Sequence, residues 1–284
     1  MAVGDVLLNR GIARRIKAHG RDWAFAKVSP AIRSADIALC NLECPLSLKG
    51  VKVNKPFCFK ANPAYAQCLL DSGFDMVSLA NNHSLDCGRT GLLETMSYLD
   101  KAGIRQVGAG KTLSEANHPV VMDIKGLKVA FLARNMLFPE GAWFRPDAPG
   151  VALLESSSIE DEVARAHEQA DVVVVILHWG TEYRKQPKSS QKELARKLID
   201  AGADLVIGHH PHVVQPVEKY HGGVIAYSIG NFLFDSTNPM CKDSMILKCR
   251  LSKSGVSDIE LIPVRIEDWR PVMKSGNLVG GARS

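Results

Sequence analysis

Residues 203–214, ADLVIGHHPHVV, restrict the possible folds more than any other stretch of the chain. Leu205, Val206 and Ile207 form a short apolar run, the mark of a buried strand, and Gly208 ends it. Three histidines follow within four residues: His209, His210 and His212. In an extended chain alternate side chains share a face, so His210 and His212 are expected to project together, with Pro211 stiffening the link. Neutral imidazole is the commonest transition-metal ligand. A greasy strand that delivers such a pair at its end belongs in a sheet whose carboxyl edge opens on a cleft, where the ligands of α/β folds gather. The alternative, a solvated loop that happens to be rich in histidine, leaves the rest of the pattern unexplained.

That pattern is repetition. Apolar runs at 3–8, 36–39, 75–79 and 171–177 each carry or lead into metal-type side chains: Asp5, Asn41 with Glu43, Asn82 with His83, and His178. Asn41 and Glu43 stand two apart and so are expected to face one way. Helical spacing intervenes at 12–18, 25–32, 63–71, 89–102, 158–169 and 190–201, with Gly73, Gly103 and Gly202 as stops. Alternation around Lys125-Gly126 predicts a hairpin over 120–124 and 128–133. Strands are expected at 213–220 and 224–229, and closing strands at 245–251 and 256–266. Residues 135–150 read as a loop and 273–284 as a frayed tail. Strands alternating with helices, with hairpins interspersed, predict an α/β fold with layered helices and mixed sheets, as one domain over 1–284.

Composition narrows the function. The chain has 284 residues, 46% of them hydrophobic, which is ample for a core. A net charge of +5 suits an anionic small-molecule or polymer substrate. No basic block or RNA-binding signature is present, which disfavours nucleic acid. No apolar run nears the ~20 residues that span a bilayer, so no membrane segment is expected. Seven cysteines, an odd number with no C-x-x-C pair, point to a reducing compartment, the cytoplasm. The alternative is an extracytoplasmic protein from which a leader or anchor has been removed. Carboxylates and imidazoles suit zinc, manganese or iron. A bridging carboxylate can hold two ions about 3.5–4 Å apart, an arrangement that clamps a displacement at phosphorus or activates a water.

Taken in order, GDVLL, NLECPLS, SLANNHSLDCGRTGLLET, ILHWGTEY, VIGHHPHVVQPVE and AYSIGNFLFD resemble the bacterial capsule-synthesis family CapA/PgsA. That family is named for poly-γ-glutamate capsule production and is related to calcineurin-like metallophosphatases. The resemblance covers residues 3–235. It implies a four-layer αββα sandwich of metallophosphatase type holding one or two divalent transition-metal ions (Mn, Zn or Fe). It further implies a hydrolase of a phosphoester or amide-type bond linked to poly-γ-glutamate metabolism. The alternative is a non-catalytic accessory protein that binds poly-γ-glutamate or a capsule synthase subunit. Asp5, Glu43, Asn82, His178, His210 and His212 are the implied metal ligands, Glu43 standing where a bridging aspartate is expected. His83 is the implied catalytic residue, protonating a leaving group or steadying the substrate. Asn41, Asp86, His209 and Asn231 are expected to touch substrate or hold the ligands. Two departures stand out: Leu7 occupies the place of a histidine two residues after Asp5, and His209 displaces Gly208 from its usual spacing. Other roles are open for several residues. Asp5 can cap a helix, Asn82 can support a turn, Asp86 can cap the helix from Arg89 or orient His83, and Glu182 reads as solvated.

Overall fold

A computed structural model describes residues 1–139, 145–156 and 158–275 of the chain. Its centre is the strand Val172–His178, VVVVILH, buried along its whole length. A run of β-branched residues fits a pleated surface covered on both faces. Val172, Val174 and Ile176 point to one side and Val173, Val175 and Leu177 to the other, each set into a different core. The strand lies inside a six-stranded sheet in the order Val217–Tyr220, Gly223–Ala226, Leu205–His209, Val172–His178, Leu127–Asn135, Val120–Ile124. The inner four strands are parallel, and each outer strand closes an antiparallel hairpin.

The second sheet runs Arg270–Met273, Gly255–Glu267, Asp243–Ser252, Ala2–Val6, Leu39–Leu42, Met76–Ser78, Arg105–Val107. Asn231–Leu233 also pairs with Ala2–Val6, in parallel. Three apolar layers hold the molecule together. Ala2, Leu39 and Met76 of this sheet meet Phe131, Val174 and Ile207 of the other. On its outer face, Val3, Cys40 and Val77 pack against Ile12, Ile16, Leu69, Leu92 and Leu99 of the helices Arg10–His19, Ala66–Ser72 and Gly88–Ala102. The six-stranded sheet is covered by Ile159–His167 and Ser189–Asp200 through Val163 and Leu198. Each helix buries one stripe and leaves the opposite face wet. The result is the four-layer αββα sandwich with mixed sheets. No helix among the described residues is long and apolar enough to cross a membrane.

Some local expectations need correction. Asp5 caps nothing: the first helix starts at Arg10, after Asn9. The loop read over 135–150 is partly strand, because Asn135 closes Leu127–Asn135 and Gly150–Val151 pairs with Ala109–Gly110; residues 140–144 lie outside the described residues. The tail read as frayed from 273 is ordered at its start. Met273 ends a paired strand, and the Lys274 amide donates to the Pro263 carbonyl at 2.9 Å. Residues 276–284 lie outside the described residues.

Two glycines allow the strands beneath the polar edge to close up. A Cβ on Gly4 would lie 2.0 Å from the Gly230 carbonyl oxygen, and one on Gly208 would lie 1.9 Å from that of Tyr227. Both contacts are with backbone, which cannot swing aside as a side chain can. Gly208→Ala is therefore expected to lower stability by about 3 kcal/mol through overpacking. Denaturant unfolding in the presence of chelator measures it, and an unchanged midpoint would show that the strands can spread.

Candidate metal centre

Strand register brings the polar residues level. Asp5 pairs with Asn41 on one side and Asn231 on the other. Across the sandwich, His178 pairs with both Asn135 and His209. The carboxyl ends of the parallel strands in both sheets thus open at one edge, and every residue marked from the sequence reaches it.

Asp5 and Glu43 are fully buried. Asp5 is well satisfied. It accepts from Asn41 Nδ2 at 2.9 Å, lies 3.1 Å from His209 Nδ1 and 3.3 Å from His212 Nδ1, and accepts the His210 amide at 3.4 Å. Burial works to raise its pKa, but the bonds to His209 and His212 prevail and hold it well below the ordinary carboxylate range. Glu43 is the opposite case: among the described residues neither carboxylate oxygen has a hydrogen-bond donor. Burial, and then the Asp5 charge, push its pKa well up. His212 Nε2 is 3.8 Å from Glu43 Oε1 and His83 Nε2 is 3.9 Å away, too long for hydrogen bonds.

Imidazoles fill the other half. His178 Nε2 lies 3.0 Å from Asn82 Oδ1, and the His178 ring stands 4.9 Å from that of His210. Burial, followed by the neighbouring His210, lowers the His178 pKa. Burial and His212 bring that of His210 down to about 3. Both rings are therefore neutral at pH 7, the form that ligates. His212 is pulled the other way. Burial would lower its pKa, yet Glu43 and Asp5 outweigh that and push it up to about 10. Asn231 Oδ1 lies 2.8 Å from His212 Nδ1 and fixes that ring.

His210 and His212 converge for a reason other than strand alternation. The strand ends at His209, and the next residues form a bend with φ +94° at His210 and +58° at His212. Two side-chain-bearing residues in the left-handed region store strain that surrounding structure must hold. The Tyr183 amide, donating to the Pro211 carbonyl at 2.8 Å, is one such restraint. The rings come within 5.8 Å of each other by this tight turn.

His83 is aimed by Asp86, whose Oδ2 lies 2.9 Å from its Nδ1. Asp86 also accepts the Phe59 amide at 2.6 Å and pairs with Lys55 Nζ at 2.6 Å. A carboxylate that already receives these donors accepts from Nδ1–H, which leaves His83 Nε2 facing the cleft. Burial lowers the His83 pKa, against the pull of Asp86. Asp86 thus orients His83 rather than capping a helix.

Several participants escaped the sequence reading. Asn81, fully buried, donates to Asn41 Oδ1 at 3.0 Å and to the Leu42 carbonyl at 2.9 Å, and its own oxygen accepts the His83 amide. It, rather than Asn82, supports the turn. Lys55 clamps Asp86 and donates to the Asn82 carbonyl at 3.0 Å. Glu182 is exposed, as expected, yet its carboxylate comes within 4.8 Å of ligand atoms of His210 and His212. Asp5, Glu43 and His212 form a second group with the same span. Asn82, His83 and His212 line a cleft of about 480 Å³ walled by Phe59, Tyr183 and Phe234.

Two stacked sheets, outer helices and an acid–imidazole cluster where both sheets end define the metallophosphatase type of αββα protein. Solved structures share this architecture. A 5'-nucleotidase precursor from Thermus thermophilus superposes with a TM-score of 0.53 at 14% identity, over 88% of this chain and 48% of that one. The sulfate thiohydrolase SoxB of the same species gives 0.52 at 14% identity, over 87% of this chain and 42% of that one. The chain thus spans under half of those two proteins. The chain belongs to the bacterial capsule synthesis family PGA_cap, whose model matches residues 1–236. It is 34% identical over 272 residues to the PGA biosynthesis protein CapA of Bacillus subtilis, covering 95% of this chain and 72% of that protein. It is 32% identical over 277 residues to the capsule biosynthesis protein CapA of Bacillus anthracis, covering 95% and 67%.

Proposed function

We propose that this cluster binds one or two divalent transition-metal ions (Mn, Zn or Fe), and that the chain hydrolyses a phosphoester or amide-type bond in poly-γ-glutamate or capsule metabolism. One observation carries the reading. Glu43 is a carboxylate without exposure, without a hydrogen-bond donor, and beside a second buried carboxylate. Two carboxylates buried side by side call for more positive charge than His212, 3.8 Å from Glu43, supplies, and a metal ion would provide it. The donor set fits such a group: hard oxygens from Asp5 and Glu43, an amide oxygen from Asn82, and nitrogens from His178, His210 and His212. Asp5, Glu43 and His212 would hold one ion, and Asn82, His178 and His210 are the residues available for a second. A divalent ion there supplies positive charge against a phosphoryl or acyl oxygen and acidifies an attacking water. The chain's own part follows from the geometry. His83 Nε2 moves a proton at the cleft, and Asp86 and Lys55 hold that ring in place.

A second reading has its own support. Leu7, standing where the metallophosphatase pattern places a histidine, is fully buried in the helix-side core and offers no ligand. A site short of one ligand suits a protein that binds a polymer or synthase subunit without turnover. Metal analysis of protein purified without chelator, combined with hydrolysis assays, tests both readings. The substrates are a generic phosphodiester and γ-linked glutamyl oligomers with added manganese. The hydrolase reading expects at least about one equivalent of metal and hydrolysis that chelator abolishes. Metal content below about a tenth of an equivalent, unchanged by His210→Ala, ends the metal proposal. A metal-loaded but inert protein retained on immobilised poly-γ-glutamate selects the accessory role.

A further inference from the structure

Arg10 occupies an unusual position on the wall of the same cleft. Its guanidinium carbon lies 4.9 Å from the ring centroid of Phe59 and 5.6 Å from that of Phe234. Each of those rings also packs on a histidine of the site: His83 stands 4.4 Å from Phe59, and His212 5.1 Å from Phe234. Arg10 is thus one phenyl ring removed from both histidines, near enough to reach a molecule held between them.

The residue is also pinned. Asp235, whose side chain is 9% exposed, pairs with Arg10 Nη2 and accepts the Gly11 amide at 2.8 Å. The Arg10 backbone adopts φ +49°, the left-handed region that side-chain-bearing residues enter at a cost. Among the described residues Asp235 is its only hydrogen-bond partner, while the side chain remains 35% exposed. A guanidinium has five N–H donors in a rigid fork, and most of these stay idle. The pairing with Asp235 fixes where the guanidinium sits, but it leaves the strained backbone and the unused donors without a use. Its Nε is buried and Nη2 holds Asp235, so the remaining Nη donors are the ones left for a planar carboxylate.

We propose that Arg10 determines specificity by binding a carboxylate that the substrate carries a short spacer away from the bond placed at His83 and His212. This rests on the reading of the cleft as a site for a γ-linked glutamyl chain. Such a chain has the required chemistry, with a free carboxylate on the carbon attached to each amide nitrogen. A phosphodiester with no second anion would leave Arg10 idle.

Calorimetric titration of the manganese-loaded protein tests the assignment with γ-linked tetraglutamate and its α-carboxamide counterpart. The unaltered protein is expected to bind the acid at least about tenfold more tightly than the amide. Arg10→Met, which keeps the length and much of the ring contact, should weaken the acid alone and equalise the two. Arg10→Lys should restore only part of the preference, because a point charge cannot offer the fork. Equal binding of acid and amide by the unaltered protein overturns the role of Arg10 and leaves the reading of the cleft standing. Failure of both oligomers to bind overturns both readings. If Arg10→Met weakens both oligomers alike and lowers the melting temperature, Arg10 is a staple and the proposal fails.

Discussion

Glu43→Met is expected to stabilise the metal-free protein while removing its response to metal. In chelator, Glu43 is a buried acid with no donor, next to the Asp5 carboxylate. Methionine fills a similar volume with no polar atom to desolvate. Removing a buried acid that has no hydrogen-bond donor among the described residues, and whose pKa burial pushes well up, is expected to recover a desolvation cost of about 1–3 kcal/mol. With metal present the sign reverses. A ligand that binds only the folded state at a thousand times its Kd stabilises by about 4 kcal/mol, and the variant lacks a carboxylate proposed to hold the ion. Melting curves in chelator and in excess manganese give both quantities on one sample. A variant that melts lower than its parent in chelator yet shows the full manganese shift would remove Glu43 from the proposed ligand set. Stability sacrificed at a cluster of this kind is a usual mark of function.

His83→Gln is expected to cut turnover by roughly 10²–10⁴-fold with bound metal unchanged, the loss typical of a positioned acid–base group. The separation of the two effects follows from the geometry. His83 Nε2 is 3.9 Å from Glu43, so it borders the ligands, while its other nitrogen is committed to Asp86 at 2.9 Å. Glutamine keeps hydrogen-bonding capacity and bulk beside Phe59 but cannot exchange a proton near neutral pH. Initial rates on the phosphodiester, with metal content measured on the same preparation, decide the matter. A change under about threefold would make His83 a bystander.

The strand-end polar residues that meet at this edge were legible because each sits beside an apolar run, and runs and spacing are local properties. Asp5, Glu43, His83 and His178 were found in this way, and the recurrence of the pattern suggested the shared edge before any contact was known. His210 and His212 were found on a mistaken premise. Their convergence comes from two left-handed residues around Pro211, and a one-dimensional pattern gives no hint of positive φ. Lys55 and Arg10 were missed because their meaning lies in partners far along the chain, Asp86 and Asp235, the latter 225 residues from Arg10. Lys55 also sits in a polar segment with no periodicity to mark it. Glu182 was seen as a surface acid, which it is. Its proximity to the histidines arises from the way the loop after Val172–His178 folds over the bend at Pro211.

The division of the cluster between the sheets carries a mechanical consequence. Asp5, Asn41, Glu43 and Asn82 belong to one half of the sandwich, and His178, His209, His210 and His212 to the other. Between those halves the contact is oily and non-directional, a surface along which layers can slip. An ion gripped from both sides would act as a rivet through the laminate, adding to the few hydrogen bonds, Asp5 to His209 and Asn82 to His178 among them, that already cross it at this edge. Catalytic alignment and the mutual setting of the two layers would then be one property, lost or regained together.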